Sequence, residues 1–282
     1  METIFQAAVV GLLQGLTEFI PVSSSAHLEL VPWMLGWGDA DPLIGSLAFD
    51  VFLHLGTLLA LLVYFARDWL RLIGAALASI RERRIGDDSD RRLAWLLAIA
   101  TVPAAIIGFA FEDLIASRFH GDSNGARLAI ASFLIVGAIA LYLADRLGSR
   151  RLALGQVTLP AALTIGFSQA LALLPGVSRS GATITAGLAL GLDREAADRF
   201  SFLLATPITL GAGLYGARDL LDASLSGGEW AAIWAGFGTA AVSGMLAIGS
   251  LLAWLRRRSV TIFSAYRIGF ALLVIALVVV GR

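Results

Sequence analysis

Long apolar blocks alternate with short polar, arginine-rich connections along the whole chain. A run of about 18–20 apolar residues is long enough to cross a hydrocarbon core as a helix. On that basis spans are expected over residues 44–66, 93–111, 128–144, 200–217, 230–255 and 262–280. Two further blocks do not read as plain spans. Residues 4–35 are interrupted by Glu18 and then by Pro21-Val22-Ser23-Ser24-Ser25-Ala26-His27. Residues 159–190 are interrupted by Leu173-Leu174-Pro175-Gly176-Val177-Ser178-Arg179-Ser180-Gly181-Ala182-Thr183. Proline lacks an N–H and glycine tolerates unusual dihedrals, so Pro175-Gly176 ends a helix. Each of these blocks predicts two half-length helices around a polar break, that is, a re-entrant hairpin. Residues 67–92 form a charged connection with seven arginines, whose 70–80 portion is expected at the membrane interface.

The second half of the chain echoes the first. Gln14-Gly15-Leu16 through Ser23-Ser24-Ser25 aligns with Gln169-Ala170-Leu171 through Ser178-Arg179-Ser180 at an offset of 155 residues. Phe49 to Asp68 aligns with Phe200 to Asp219 at an offset of 151. Two matches in the same order imply a duplication, with halves of about 1–150 and 151–282 in a single membrane domain. Each half then holds one hairpin and three spans. An odd number of spans inverts the second half in the membrane. The positive-inside rule agrees. With residues 67–92 in the cytoplasm, the arginines at 146–151, 194–199 and 256–258 also fall inside. Fifteen lie inside against four outside, Arg118, Arg127, Arg218 and Arg282. The expected fold class is therefore an all-α polytopic membrane protein, with six transmembrane helices plus two re-entrant helical hairpins in an inverted repeat. The two broken tips, entering from opposite sides, would bring Glu18 and His27 to the Ser178–Thr183 loop.

Composition supports this reading. Of 282 residues 58% are hydrophobic and the mean hydropathy is +0.81, well outside the soluble range. The net charge is zero and all 21 basic residues are arginine, so no nucleic-acid partner is indicated. The chain has no cysteine, which excludes disulfides and thiolate metal sites. Met1-Glu2-Thr3 offers no basic n-region, so the first apolar stretch is expected to remain as structure.

The chemistry concentrates at the breaks. An arginine at a bilayer centre costs roughly 2.5–3.5 kcal/mol on insertion scales, and non-helical backbone there needs protein or a water-filled cavity around it. Arg179, with the hydroxyls of Ser178, Ser180 and Thr183 and the freed loop amides, suits an anion, above all a phosphate. Gly176 and Gly181 would allow close backbone approach. An ion pair between Arg179 and Glu18 is the purely structural alternative. Gln14 and Glu18 share a helix face at i,i+4, where Glu18 would bind a divalent cation or move a proton. With one carboxylate, a metal would take its remaining ligands from phosphate and water, which suits Mg²⁺. Ser23, Ser24 and Ser25 are candidate helix caps as well as substrate ligands. His27 is a candidate base, nucleophile or phosphate ligand. His54 follows Asp50 by one turn and has either a structural bond or a supporting role, and His120 is expected in a loop without a role. The glycines Gly11, Gly15, Gly211 and Gly213 are read as helix-packing positions.

The run from Gln14-Gly15-Leu16-Thr17-Glu18 to Ser25-Ala26-His27, together with Pro175-Gly176-Val177-Ser178-Arg179-Ser180-Gly181-Ala182-Thr183, resembles the two signature motifs of the bacterial undecaprenyl-diphosphatases, the family linked to bacitracin resistance. The resemblance extends over nearly the whole chain and includes Arg199-Phe200-Ser201-Phe202-Leu203-Leu204-Ala205-Thr206-Pro207. It implies a membrane enzyme that removes the terminal phosphate of undecaprenyl diphosphate, returning the monophosphate carrier for peptidoglycan and other envelope polymers. It implies a divalent cation, Mg²⁺ or Ca²⁺, and activity at the outer face of the cytoplasmic membrane. By motif position Glu18 matches the essential glutamate, Ser24 and His27 match active-site residues, and Arg179 with Ser178 and Thr183 matches the phosphate-binding loop. A serine, the histidine or an activated water are all open as the attacking group. Three positions depart from the common pattern: Gln14 in place of a second glutamate, Ala26 in place of glycine, and His54 in place of glutamine.

The expected partners are the lipid substrate and the bilayer, with a homodimer as the assembly to test. A polyprenyl-phosphate flippase or transporter on the same inverted-repeat plan is the alternative function. A pure transporter would not need Glu18 and His27 beside Arg179.

Overall fold

The computed structural model describes residues 1–37, 43, 44, 46–119, 123–221 and 225–281. His120 and Arg282 fall outside the described residues, as do the side chains of Arg118 and Arg218. Among the described residues the structure is built from α-helices, with one isolated bridge between Leu152 and Leu192 and no sheet.

The first interrupted block folds as two helices around the polar break. Helix α1 (Glu2–Phe19) stops before Pro21, and α2 (Ser24–Leu35) starts from the Ser23 cap and ends at Gly36 in the left-handed region. Helix α3 (Leu47–Tyr64) is capped by Ser46. At Phe65 the chain bends by 77° into α4 (Ala66–Glu82). That helix leaves Leu70, Ile73, Leu77 and Ile80 exposed on one face, the amphipathic form of an interfacial segment. Helices α5 (Ser89–Phe119) and α6 (Asn124–Leu147) follow. The second interrupted block gives α7 (Leu159–Ala170), a short 3-10 turn, the break, and α8 (Arg179–Ala189). Helices α9 (Arg194–Leu221), α10 (Gly227–Leu255) and α11 (Thr261–Val279) complete the chain.

Four of these helices, α5, α6, α10 and α11, are long and apolar enough to cross a membrane, and the bent α3–α4 pair would make a fifth if counted as one span. The protein is thus an all-helical, multi-pass membrane protein.

Packing is set by small residues. Helix α1 lies along α10 because Gly11 and Gly15 have no Cβ; a methyl there would run into the carbonyls of Gly236 and Ala240. Helix α7 lies on α5 in the same manner, with Gly166 against the Ala100 carbonyl. Close backbone approach of this kind drives helix association where apolar burial from water is not available. Gly213 abuts Leu55, but Gly211 faces open space, so of that expected packing pair only Gly213 is in contact. The largest apolar core joins Phe19, Phe65, Phe200, Phe202, Ile184 and Leu251. Phe19 and Phe202 meet edge to face at 5.5 Å, which fixes the end of α1 against α9.

Candidate functional site

The two breaks meet. Gly176 N donates to Ser25 Oγ at 3.5 Å, and Ser180 Oγ donates to the Ile20 carbonyl at 3.4 Å. Each break is built by the same local device. Ser23 (φ 76°, ψ 94°) caps α2, and Ser178 (φ 73°, ψ 118°) caps α8. Ser23 Oγ accepts from Ala26 N, and Ser178 Oγ accepts from Gly181 N. Ser23 Oγ lies 3.2 Å from Ser25 Oγ, and Ser178 Oγ lies 3.2 Å from Ser180 Oγ. A serine cap satisfies donors that would otherwise be orphaned at a helix start.

Glu18, at the buried end of α1, is the hub. Its Oε1 accepts from Arg179 Nη2 at 2.8 Å, across the two breaks. Its Oε2 accepts from Ser24 Oγ at 2.6 Å and from Gln14 Nε2 at 3.2 Å. His54 Nε2 stands 3.7 Å from the same oxygen. The structure therefore brings Gln14, Glu18, Ser24, His54 and Arg179 together. The expected His54–Asp50 relation is also present, as a 2.8 Å bond from Nδ1 to the Asp50 main-chain carbonyl.

His27 is placed differently. It is buried, and both ring nitrogens are engaged, Nδ1 with the Ser23 carbonyl at 2.7 Å and Nε2 with Tyr266 Oη at 2.8 Å. A carbonyl only accepts, so Nδ1 carries a proton. The ring also stacks on Phe270 at 4.5 Å. His27 thus fastens the Ser23 turn to α11.

Thr183 is buried under the second break. Its hydroxyl sits 2.7 Å from Ser201 Oγ and also bonds back to the Arg179 carbonyl. Arg179 Nη1 reaches the Ser201 carbonyl at 3.5 Å. Ser178 and Ser180 are buried behind the break, while Ser24, Ser25, His54 and Arg179 are partly accessible.

Three contributors lie outside the two signature motifs, Ser201, Tyr266 and Arg267, although Ser201 falls in the Arg199 to Pro207 stretch that the family resemblance includes. Arg267 is fully buried inside the α11 span. The rule that singles out Arg179, an arginine within an apolar run, applies equally to Arg267. Ser201 and Tyr266 carry no such signal.

A divalent cation needs oxygen donors. Among the described residues no group of three His, Cys, Asp or Glu side chains is gathered. Glu18 offers carboxylate oxygens, and Gln14 Oε1, one turn away, is buried without a hydrogen-bond partner. Two oxygens on one helix face fit part of a hard-cation shell, with phosphate and water supplying the rest.

Comparison with known proteins is consistent across the whole chain. Residues 7–273 match the family model described as bacitracin resistance protein BacA. An undecaprenyl-diphosphatase of Thermomicrobium roseum is 44% identical over 281 residues, covering 99% of each chain. Those of Geobacter sulfurreducens and Gemmatimonas aurantiaca are 48% identical over 265 residues and 46% over 274, covering 94% and 97% of each chain.

Proposed function

The chain belongs to the bacitracin resistance protein BacA family, and from that premise we propose that its two broken helices form the site that hydrolyses undecaprenyl diphosphate. The protein is a membrane phosphatase that converts undecaprenyl diphosphate to undecaprenyl phosphate and inorganic phosphate. The observation that carries the site assignment is the chain Ser24 Oγ–Glu18–Arg179, with contacts of 2.6 and 2.8 Å.

A nucleophile needs a base within about 2.6–3.2 Å. Ser24 has one in Glu18, whereas both His27 nitrogens are occupied. In our reading Ser24 Oγ attacks the terminal phosphorus and its proton passes to Glu18. The bond from that phosphorus to the bridging oxygen breaks, and undecaprenyl phosphate leaves with the bridging oxygen. Glu18 gives that proton up to the leaving undecaprenyl phosphate; water then attacks the phosphoserine, and Glu18 takes the water's proton and returns it to Ser24 Oγ as the Ser24–phosphorus bond breaks and inorganic phosphate is released. Arg179 and the N–H groups at the start of α8 hold the phosphoryl oxygens as their charge redistributes. Ser23, Ser25, Ser178, Ser180, Gly176, Gly181 and Thr183 shape that cradle. A cation bound by Glu18 and Gln14, Mg²⁺ or Ca²⁺, would neutralise charge on the diphosphate.

The six-span topology is part of the same proposal. Helices α3, α5, α6, α9, α10 and α11 are the spans, and α1–α2 and α7–α8 are the re-entrant hairpins. Its support is that the packing survives exchange of the halves. Helix α1 on α10 corresponds to α7 on α5, and Gly11 and Gly166, the contact glycines, stand 155 residues apart. The arginine distribution favours both termini outside, with the site open to the outer face of the bacterial cytoplasmic membrane.

The test is phosphate release from undecaprenyl diphosphate by the purified protein in detergent, with Ser24→Ala, Glu18→Gln and Arg179→Ala. Abolished release in all three, with folding retained, supports the site. Undiminished release in any of them removes that residue from it.

A further inference from the structure

Arg267 is fully buried in an apolar helix, and among the described residues it makes no ion pair. Its Nη donors go instead to main-chain carbonyls, while Nε is buried without a hydrogen-bond partner. Nη2 reaches Gly176 O at 2.9 Å, Val177 O at 3.0 Å and Phe133 O at 3.4 Å, and Nη1 reaches Pro21 O at 3.5 Å. Pro21 lies in the first break, Gly176 and Val177 lie in the second, and Phe133 lies in α6. One guanidinium therefore ties both breaks to a third helix.

The surroundings are cut to fit it. A methyl on Gly137 would collide with Nη2, and its three nearest neighbours would all be atoms of the Arg267 guanidinium. A methyl on Gly181 would stand 2.9 Å from Nη1. A buried cation without a carboxylate is costly, so the arrangement calls for a return elsewhere.

An anion cradle must turn its N–H groups inward and its carbonyls away, because a carbonyl oxygen facing a diphosphate repels it. Positive φ at Gly176 (98°) and Ser178 (73°) makes that turn possible, but the carbonyls turned away in a membrane still need donors. We propose that Arg267 is a positioning residue of the phosphate site, holding the Pro21, Gly176 and Val177 carbonyls behind the breaks so that Arg179 and the α8 amides face the substrate. This rests on the phosphatase reading of that site.

The test uses the full-length protein in detergent, with Arg267→Met, Arg267→Lys, Gly137→Ala and the Gly137→Ala/Arg267→Met double variant. The readouts are kcat and KM for undecaprenyl diphosphate, the Kd of inorganic pyrophosphate by calorimetry, and thermal unfolding. Gly137→Ala displaces the guanidinium without deleting it, so the idea does not depend on Arg267→Met folding. The expected result is a loss of about tenfold or more in kcat and in pyrophosphate affinity for Gly137→Ala and Arg267→Met, with partial recovery in Arg267→Lys. The double variant should be no worse than the poorer single, because both changes act on one element. Folded Gly137→Ala that matches the parent within about twofold in pyrophosphate binding would overturn the proposal. So would additive losses in the double variant. If the parent binds pyrophosphate but releases no phosphate from the lipid, the phosphatase reading fails, and the pyrophosphate Kd of the variants still decides the role of Arg267.

Discussion

Ser23 and Ser178 stand 155 residues apart and adopt the same left-handed turn, with φ of 76° and 73°. Both cap the helix that follows, and each has a second serine hydroxyl at 3.2 Å. A non-glycine residue held there is strained by about 1–3 kcal/mol, and the cap returns about 1 kcal/mol. Alanine at either position keeps the strain and loses the cap, while glycine loses the cap and releases strain. Ser178→Ala should therefore unfold at a lower temperature than Ser178→Gly, by the equivalent of about 1 kcal/mol. Thermal unfolding of both variants in one detergent measures this, and the opposite order would mean the turn is unstrained.

The 2.6 Å contact of Ser24 with Glu18 separates nucleophile from scaffold. Ser24→Ala should reduce phosphate release by about 10²–10⁴ with little change in stability. Glu18→Gln should reduce release comparably and also lower stability, because the partly accessible Arg179 would lose its ion-pair partner, a loss smaller than the about 3–5 kcal/mol of fully buried pairs. Acid quenching with substrate labelled in the terminal phosphate should trap label on the parent chain and none on Ser24→Ala. Label persisting on Ser24→Ala would transfer the attack to another residue.

Much of this was legible in the sequence because membrane insertion makes exceptions conspicuous. Glu18, Pro21 and Pro175-Gly176 interrupt apolar runs, and the helices end where those residues stand. The Glu18–Arg179 contact is expected from the sequence once the two breaks are read as meeting. Arg267 is visible by the same rule but has no proline break near it to mark a site. Ser201 and Tyr266 were not legible: their roles come from contacts with Thr183 and His27 that only tertiary packing creates. Likewise the His54–Asp50 spacing could not say that the acceptor is a carbonyl and not a carboxylate.

Gln14 sets up a third prediction. Its Oε1 is buried without a partner beside the Glu18 carboxylate. If those oxygens share a divalent cation, a chelator should abolish phosphate release and added Mg²⁺ or Ca²⁺ should restore it. Gln14→Glu adds a charged ligand and should lower the metal concentration for half-maximal activity by about tenfold, the scale of one improved ligand contact. Activity measured across a metal titration decides this. Equal turnover with and without chelator in both proteins would dismiss the metal.

Asp198 supplies a prediction in pH. It stands at the start of α9, ahead of the apolar stretch that begins at Phe200, is fully buried, and has no partner for either carboxylate oxygen among the described residues. Burial first, and then the charge of Glu195, push its carboxyl well above the usual aspartate range. In the unfolded chain the same group ionises near the ordinary value of about 3.9. Between that value and the raised one, the unfolded state holds fewer protons than the folded state, so stability falls as pH rises through this window. Asp198→Asn removes the titration and keeps the shape. Its unfolding temperature should match or trail the parent near pH 4 and exceed it increasingly toward pH 8. The asparagine-minus-aspartate difference, followed across that range in one detergent, is the measurement. A difference that stays flat would show that burial does not hold the Asp198 carboxyl protonated in the folded protein.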